Sequence, residues 1–206
     1  MKKILYSAMM LSLMLASSCS KDKERVTWDT SLGKASFATD KIWEISSGTF
    51  TQKWSDAVEI IGAKSTYDGG DLTDGYKAGF CSNPGQKGSL FSWRAVAEIV
   101  NICPSGWRVP TTADFVNLDK ALGGTGNDRT NLNFVNNLYV TLWGGAFGGW
   151  RNYLTLVDQG SQAYYWSQSE KDADFGFVLT FSSAGKISPQ SYSMKNLGYT
   201  LRCVRN

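Results

Sequence analysis

The stretch Cys103-Pro-Ser-Gly-Trp-Arg-Val-Pro-Thr-Thr-Ala-Asp-Phe115 constrains the fold of this chain more than any other. Pro104 and Pro110 fix φ and remove two backbone donors, Gly106 admits backbone that a Cβ would forbid, and Trp107 supplies an anchor between them. The corner ends at Thr111, which makes a Thr-x-x-Asp pattern of the capping-box type with Asp114. Phe115, Leu118 and Leu122 then recur on one helical face, and Gly123-Gly124 ends the helix. A stiff turn that starts an amphipathic helix needs a layer for that helix to lie on.

The rest of the chain supplies candidates for that layer. Trp43, Phe50, Trp54, Val58, Ile60 and Ile61 bring apolar mass, and Trp54-Ser-Asp-Ala-Val58 reads as the opening of a short helix. Tyr67 to Gly88 reads as loop, with turn signals in Asp-Gly-Gly-Asp and Asn-Pro-Gly. Leu90, Phe91, Trp93, Ala95, Val96, Ile99 and Val100 form an apolar segment of mixed period, a buried helix or a strand passing into one. After Leu138 the pattern is short β segments broken by glycine. Phe177, Leu179 and Phe181 alternate, turn at Ala184-Gly185 and return through Ile187 as a hairpin; Tyr199 to Arg205 reads as a closing strand. With helices early and strands late, the expected class is α+β.

The N-terminus has a separate logic. Lys2 and Lys3 precede an apolar run from Ile4 to Ala16, too short to span a bilayer and followed by small residues up to Cys19. Leu15-Ala-Ser-Ser-Cys19 resembles a relaxed bacterial lipobox, which is cut before its cysteine. The expectation is a signal peptide over 1–18, a lipidated tether over 19–40 and one domain over 41–206, with Cys19 carrying the lipid. That places the protein outside the cytoplasm, anchored in the outer membrane of a Gram-negative bacterium and facing the periplasm or the surface. Formal net charge is +3, and Lys2 and Lys3 leave with the signal, so a near-neutral mature chain offers no footprint for nucleic acid. Lipidation of Cys19 leaves Cys81, Cys103 and Cys203; in an oxidising compartment two would pair and one stay free.

Four short motifs occur in order: Gly88-Ser-Leu-Phe-Ser-Trp-Arg-Ala-Val96, Cys103-Pro-Ser-Gly-Trp-Arg-Val-Pro110, Tyr164-Tyr-Trp-Ser-Gln-Ser-Glu170 and Gly198-Tyr-Thr-Leu-Arg-Cys-Val-Arg205. Together they resemble the Fibrobacter succinogenes major paralogous (FISUMP) domain, most strongly over 88–206 and more loosely back to Trp54-Ser-Asp-Ala-Val58 and Tyr67-Asp-Gly-Gly70. The resemblance implies an exported lipoprotein domain without established enzymatic activity. It also implies a C-type-lectin-like fold, with two helices packed on short, curled antiparallel sheets. In that fold Cys103 can tie the corner to the last strand through Cys203, leaving Cys81 unpaired; a loop of roughly 100 residues so closed stabilises by up to about 4 to 5 kcal/mol in the chain-entropy account. Some relatives carry further cysteines around Arg94, Trp150 and Lys171, where this chain has none.

Chemistry is constrained mostly by exclusion. The chain has no histidine, which removes Ser-His-Asp triads, Cys-His pairs and histidine metal sites. The cysteines lack the spacing of a redox or zinc motif, and the reactive pair of sulfatase-modifying proteins of the wider fold has no counterpart. Asp68, Asp71 and Asp74 offer oxygens for calcium, but without EF-hand or lectin order they read as a solvated turn cluster, and no metal or cofactor is expected. Glu170, Asp172 and Asp174 read as an exposed acidic loop rather than a glycosidase pair.

The segment from Trp143 to Tyr153 places Trp143, Phe147 and Trp150 beside Arg151, Asn152 and Tyr153 on flexible glycine backbone. Rings that stack with polar groups that orient suit a sugar or peptide platform. The same rings on sharply bending strands suit a small core, which is the commoner use of such residues. The expected function is a lipid-anchored envelope or surface module that binds a glycan or protein without catalysis; the alternative is a structural, envelope-assembly lipoprotein with no small-molecule ligand.

Overall fold

A computed structural model describes residues 34–37, 41–61, 79–99, 101–152 and 155–205. Strand β1 (Lys34–Ser36) pairs antiparallel with β4 (Glu59–Ile61). Between them β2 (Trp43–Ser47) turns at Gly48 and runs back as β3 (Phe50–Ala57), with Trp43 opposite Trp54. The expected helix at Trp54 to Val58 is therefore a strand. β3 is the central strand of a three-stranded sheet, so its backbone donors and acceptors are taken by neighbours on both sides, and a helix there would forfeit them.

The segment read as strand-into-helix is both: β6 (Leu90–Phe91) pairs with β5 (Phe80–Cys81), a strand inside the stretch read as loop, and Ser92 then caps α1 (Trp93–Glu98) by accepting from the Ala95 N–H. The corner follows. Gly106 takes φ +82°, the Trp107 N–H donates to Pro104 O at 2.9 Å, and Thr111 and Asp114 form the capping box of α2 (Thr112–Ala121). Arg108 aims the helix by gripping Asp114 with two hydrogen bonds of 2.6 and 2.8 Å. After β7 (Arg129–Thr130), the turn α3 (Leu132–Phe134) continues into a π-helical run, Val135–Leu142, whose part beyond Leu138 falls where glycine-broken strands were expected. Asp119, fully buried on α2, holds this part in place: it accepts from Arg129 at 2.6 and 2.7 Å, from the Tyr139 hydroxyl at 2.7 Å and from the Gly126 N–H at 2.7 Å.

The remaining strands are β8 (Trp150–Arg151), β9 (Leu156–Val157), β10 (Gln162–Glu170), β11 (Phe175–Ser182), β12 (Lys186–Met194), β13 (Tyr199–Thr200) and β14 (Arg202–Arg205). Seven of the strands form one sheet in the order β5-β6-β13-β10-β11-β12-β7, and β14 joins β3 and β2. The segment read as a single closing strand thus changes sheet at Leu201. Alternation along the central strands feeds two cores, as a two-residue period requires. Tyr165, Leu179 and Phe181 join Trp54, Phe115 and Leu118 on one face, while Trp166 and Val178 join Trp93, Val96 and Tyr199 on the other. Cys103 and Cys203 are bonded, closing a loop with a sequence separation of 100.

This architecture overturns the expected α+β class with two helices on short, curled sheets. Strands hold 41% of the described residues and helical turns 18%, around a seven-stranded sheet. The physical reason is length. The two strongest helix signals yield six and ten residues, whereas β10, β11 and β12 run eight or nine each and supply both faces of the core.

Candidate functional site

The structure separates the residues of the aromatic-glycine segment. Trp143 is 0% exposed at the centre of one core, its ring 5.0 Å from Tyr165 and 5.4 Å from Trp54, so no ligand can stack on it. Gly144 explains how the ring gets there: at φ +72°, a Cβ would lie 2.1 Å from the Trp43 indole. Phe147 packs half-buried against Phe181 at 5.7 Å. Asn152 shapes a turn, its Oδ1 accepting from the Thr155 N–H and hydroxyl at 3.0 and 2.9 Å. Tyr153 lies outside the described residues, as do Cys19, Asp68, Asp71 and Asp74. Trp150 and Arg151 form β8, half-buried at the rim of the other core.

Around Trp150 the fold assembles partners that sequence reading missed. Its Nε1 donates to Asp158 Oδ2 at 2.9 Å, and Gln162 Nε2 donates to the same oxygen at 3.0 Å. Gln162 Oε1 in turn accepts from the Tyr164 hydroxyl at 2.7 Å, and the Tyr164 ring stacks on Tyr199 at 4.7 Å. Asp158 holds this chain together from a left-handed φ of +60° at the end of β9. Burial, then the Asp158 charge, push the Tyr164 hydroxyl above its ordinary pKa, which keeps it a neutral donor. The result is two half-buried rings around a carboxylate and an amide, groups that stack on apolar ring faces and accept or donate hydrogen bonds to hydroxyls. Nothing in the sequence pointed from Asp158 or Gln162 to Trp150.

A second feature lies where the end of β3 meets β4. A cleft of about 410 Å³ is lined by Phe37, Lys41, Asp56, Ala57, Glu59 and Lys87. Asp56, Ala57 and Lys87 also line a recess that reaches Gly144, Gly148, Tyr165 and Arg202. Arg202 is 1% exposed and lies between two indoles, 4.7 Å from the Trp43 centroid and 4.1 Å from that of Trp143. Its Nε donates to Ser55 O at 2.6 Å and Nη1 to Trp143 O at 2.7 Å, while Nη2 meets no partner atom. Burial pulls its pKa down to about 10, against the opposing influence of Tyr165 and Asp56.

The other candidate groups are accounted for locally. Glu170 is paired with Lys195 Nζ at 2.5 Å, and Asp172 Oδ1 accepts from the Asp174 and Phe175 N–H groups as a turn, so these carboxylates are loop-shaping groups. Cys81 is free and 2% exposed, and burial raises its thiol pKa to about 11 despite the Arg151 charge beside it. Among the described residues, no group of three or more carboxylate or thiol side chains stands close enough to hold a metal ion.

No curated protein and no solved structure matches the chain. The family model of the Fibrobacter succinogenes major domain matches residues 51–205, from β3 through β14, and the chain therefore belongs to that family.

Proposed function

We propose that the protein is a cell-envelope binding module, anchored in the outer membrane of a Gram-negative bacterium by a lipid on Cys19, that recognises a glycan or protein partner without catalysis. The observation that supports binding is Trp150: a half-buried ring at the rim of a core, oriented by Asp158 and flanked by Gln162 and Tyr164. A ring that is oriented yet not buried contributes contact area at little cost in order. The test is Trp150→Ala in the full chain, screened against a glycan and host-protein array. Binding to whichever partner the array identifies should weaken by about ten- to a hundredfold, the equivalent of ~1.5 to 3 kcal/mol of lost burial. Unchanged affinity would remove Trp150 from the site. For the anchor, Cys19→Ala should move the protein from the membrane to the soluble fraction, because the diacyl chain supplies the membrane affinity; a variant that still sediments with membranes refutes the lipid.

A second reading, a structural or envelope-assembly lipoprotein with no small-molecule ligand, is favoured by Trp143. Its full burial turns the first half of the aromatic-glycine segment into core. An array that stays silent for the wild-type chain would select this reading.

A further inference from the structure

The seven-stranded sheet ends on β7, but β7 pairs only with Lys186 and Ile187 of β12. The loop before β7 covers the next part: the Ser188 hydroxyl donates to Asp128 Oδ1 at 2.5 Å, and Gln190 Nε2 donates to Gly126 O at 3.1 Å. Over 191–194 no described strand pairs with that edge. The phase of the ladder fixes what the edge presents. Phe177 O accepts from the Ser167 hydroxyl at 3.0 Å and Phe175 O from the Lys171 N–H at 3.0 Å, both on the side away from β12. Their antiparallel partners Tyr192 and Met194 therefore direct N–H and C=O away from β11, to the open side. A turn uses Met194 O, which accepts from the Leu197 N–H at 3.1 Å; the Tyr192 N–H and C=O and the Met194 N–H meet no partner among the described residues.

The same stretch carries an apolar face. Gly176 and Val178 turn to the Trp93 core, so by alternation Phe175 and Phe177 turn to the other side, with Met194 and Tyr192 opposite them. Further along that side, Leu179 and Phe181 are covered by Phe115 and Leu118 of α2. The four residues beyond the helix belong to neither core, and Tyr192 is 51% and Met194 49% exposed. Lys171 lies over them, its Nζ 2.9 Å from the Tyr192 ring centroid and 5.5 Å from that of Phe175. No described carboxylate pairs with it: Glu170 is bound to Lys195, and Asp172 Oδ1 serves the turn.

An open edge beside an apolar face is the geometry of strand addition, in which backbone bonds hold an extended segment and alternate side chains find their contacts. The strand itself does nothing to repel one, since 188–194 has no charged side chain. Charge selects the occupant. A second copy paired about Tyr192 would bring two Lys171 ammonium groups onto one face, and like charges oppose that pairing. A sugar needs a free ring face, and Lys171 already lies on that of Tyr192. A carboxylate on an incoming strand instead gives Lys171 its counter-charge. We propose that edge 191–194 binds an extended segment of a partner protein as an added strand, apolar opposite Met194 and acidic opposite Tyr192, where Lys171 lies. This surface is separate from Trp150, and the inference does not depend on that site.

The probe is the peptide acetyl-Thr-Ile-Thr-Glu-Thr-Ile-Thr-amide, titrated by calorimetry into the full chain at neutral pH. In an antiparallel pairing its Glu meets Tyr192 and an Ile meets Met194, with both side chains on the Lys171 face. A Kd of about 100 µM is expected, because a few backbone bonds and one charge contact must offset the ordering of a free peptide. Methylating the backbone nitrogens of Glu and both Ile blocks the side that faces β12 and should weaken binding at least about tenfold. Methylating instead the two Thr that flank Glu blocks only the outer side and should leave affinity unchanged. Side chains and charge are the same in all three peptides, so backbone pairing alone separates them, and the protein is unaltered. Lys171→Glu, at an exposed turn position, should bind this peptide about tenfold more weakly and come to favour the peptide with Lys in place of Glu. No binding at about 1 mM, equal binding of the two methylated peptides, or an unchanged preference in Lys171→Glu each overturns the proposal. Dimerisation of the chain that the peptide disrupts overturns it in favour of a second copy, and an array glycan that depends on Tyr192 overturns it in favour of a sugar. Should the peptide fail while an array ligand still depends on Trp150, this surface falls and the Trp150 site stands.

Discussion

Trp143→Ala offers the sharpest check on the placement of the aromatic-glycine segment. The indole is fully buried, so its whole apolar surface, about 200 Å² for an aromatic of this size, returns to water on unfolding; at ~25 cal/mol per Å² that is about 5 kcal/mol. Two local effects adjust the figure in opposite directions. The ring Nε1 has no partner, and its removal recovers about 1 to 3 kcal/mol of desolvation. Against that, Arg202 loses one of its two indole faces, worth about 1 to 2 kcal/mol where solvent is excluded. The expected loss is therefore about 4 kcal/mol, within the usual span for large-to-small core changes. At ~2 to 4 °C per kcal/mol for a chain of this size, the melting temperature should fall by about 8 to 16 °C. Thermal and urea unfolding of the two tryptophan variants side by side provides the control: Trp150→Ala, from a half-buried rim position, should cost roughly 1 to 2 kcal/mol. A Trp143→Ala loss no larger than that of Trp150→Ala would refute the core assignment.

Two further perturbations test other parts of the fold. Burial alone would raise the Asp114 carboxyl, but hydrogen bonds from Arg108 and Thr111 outweigh it and hold the group below its ordinary range. A depressed folded pKa contributes stability above the unfolded value near ~3.9 and loses it as pH falls through the folded value. Urea midpoints should thus drop in acid for the wild type by more than for Asp114→Asn, with an effect of about 1 to 2 kcal/mol because Arg108 is partly exposed; parallel pH profiles would contradict the assignment. Cys81, buried and with its thiol pushed up to about 11, should resist maleimide at neutral pH until denaturant is added; rapid labelling of the native protein would show that the pocket around Leu90 and Leu156 opens.

Local features were readable where the determining atoms are close in sequence. The Thr111–Asp114 cap, the Gly106 turn, the helix face of Phe115, Leu118 and Leu122 and the hairpin at Gly185 are set by dihedral limits and by partners within a few residues, and each is present. What failed was strand pairing decided across the chain. Trp54 to Val58 has no local preference strong enough to resist strands arriving from Trp43 on one side and from Arg202 on the other. The balance of class followed from the same cause: helix signals are local and easily seen, while the seven-stranded sheet is assembled from pairs as distant as β6 with β13.

The candidate site divides along the same line. Sequence by itself excluded histidine chemistry and placed Trp150 and Arg151 among six candidates in the aromatic-glycine segment. The family motifs, read in order, implied the pairing of Cys103 with Cys203. It could not distinguish Trp143 from Trp150, because both are tryptophans among glycines; only the φ of Gly144 and the position of the Trp43 ring send one inward. Nor could it assign Asp158 and Gln162 to Trp150, or bring Lys87 and Asp56 to the edge of Arg202, since those meetings depend on how β3, β10 and β14 converge. Backbone preference acts over a few residues and shows in the string of letters, whereas burial and charge pairing act through space and exist only once the sheets have closed.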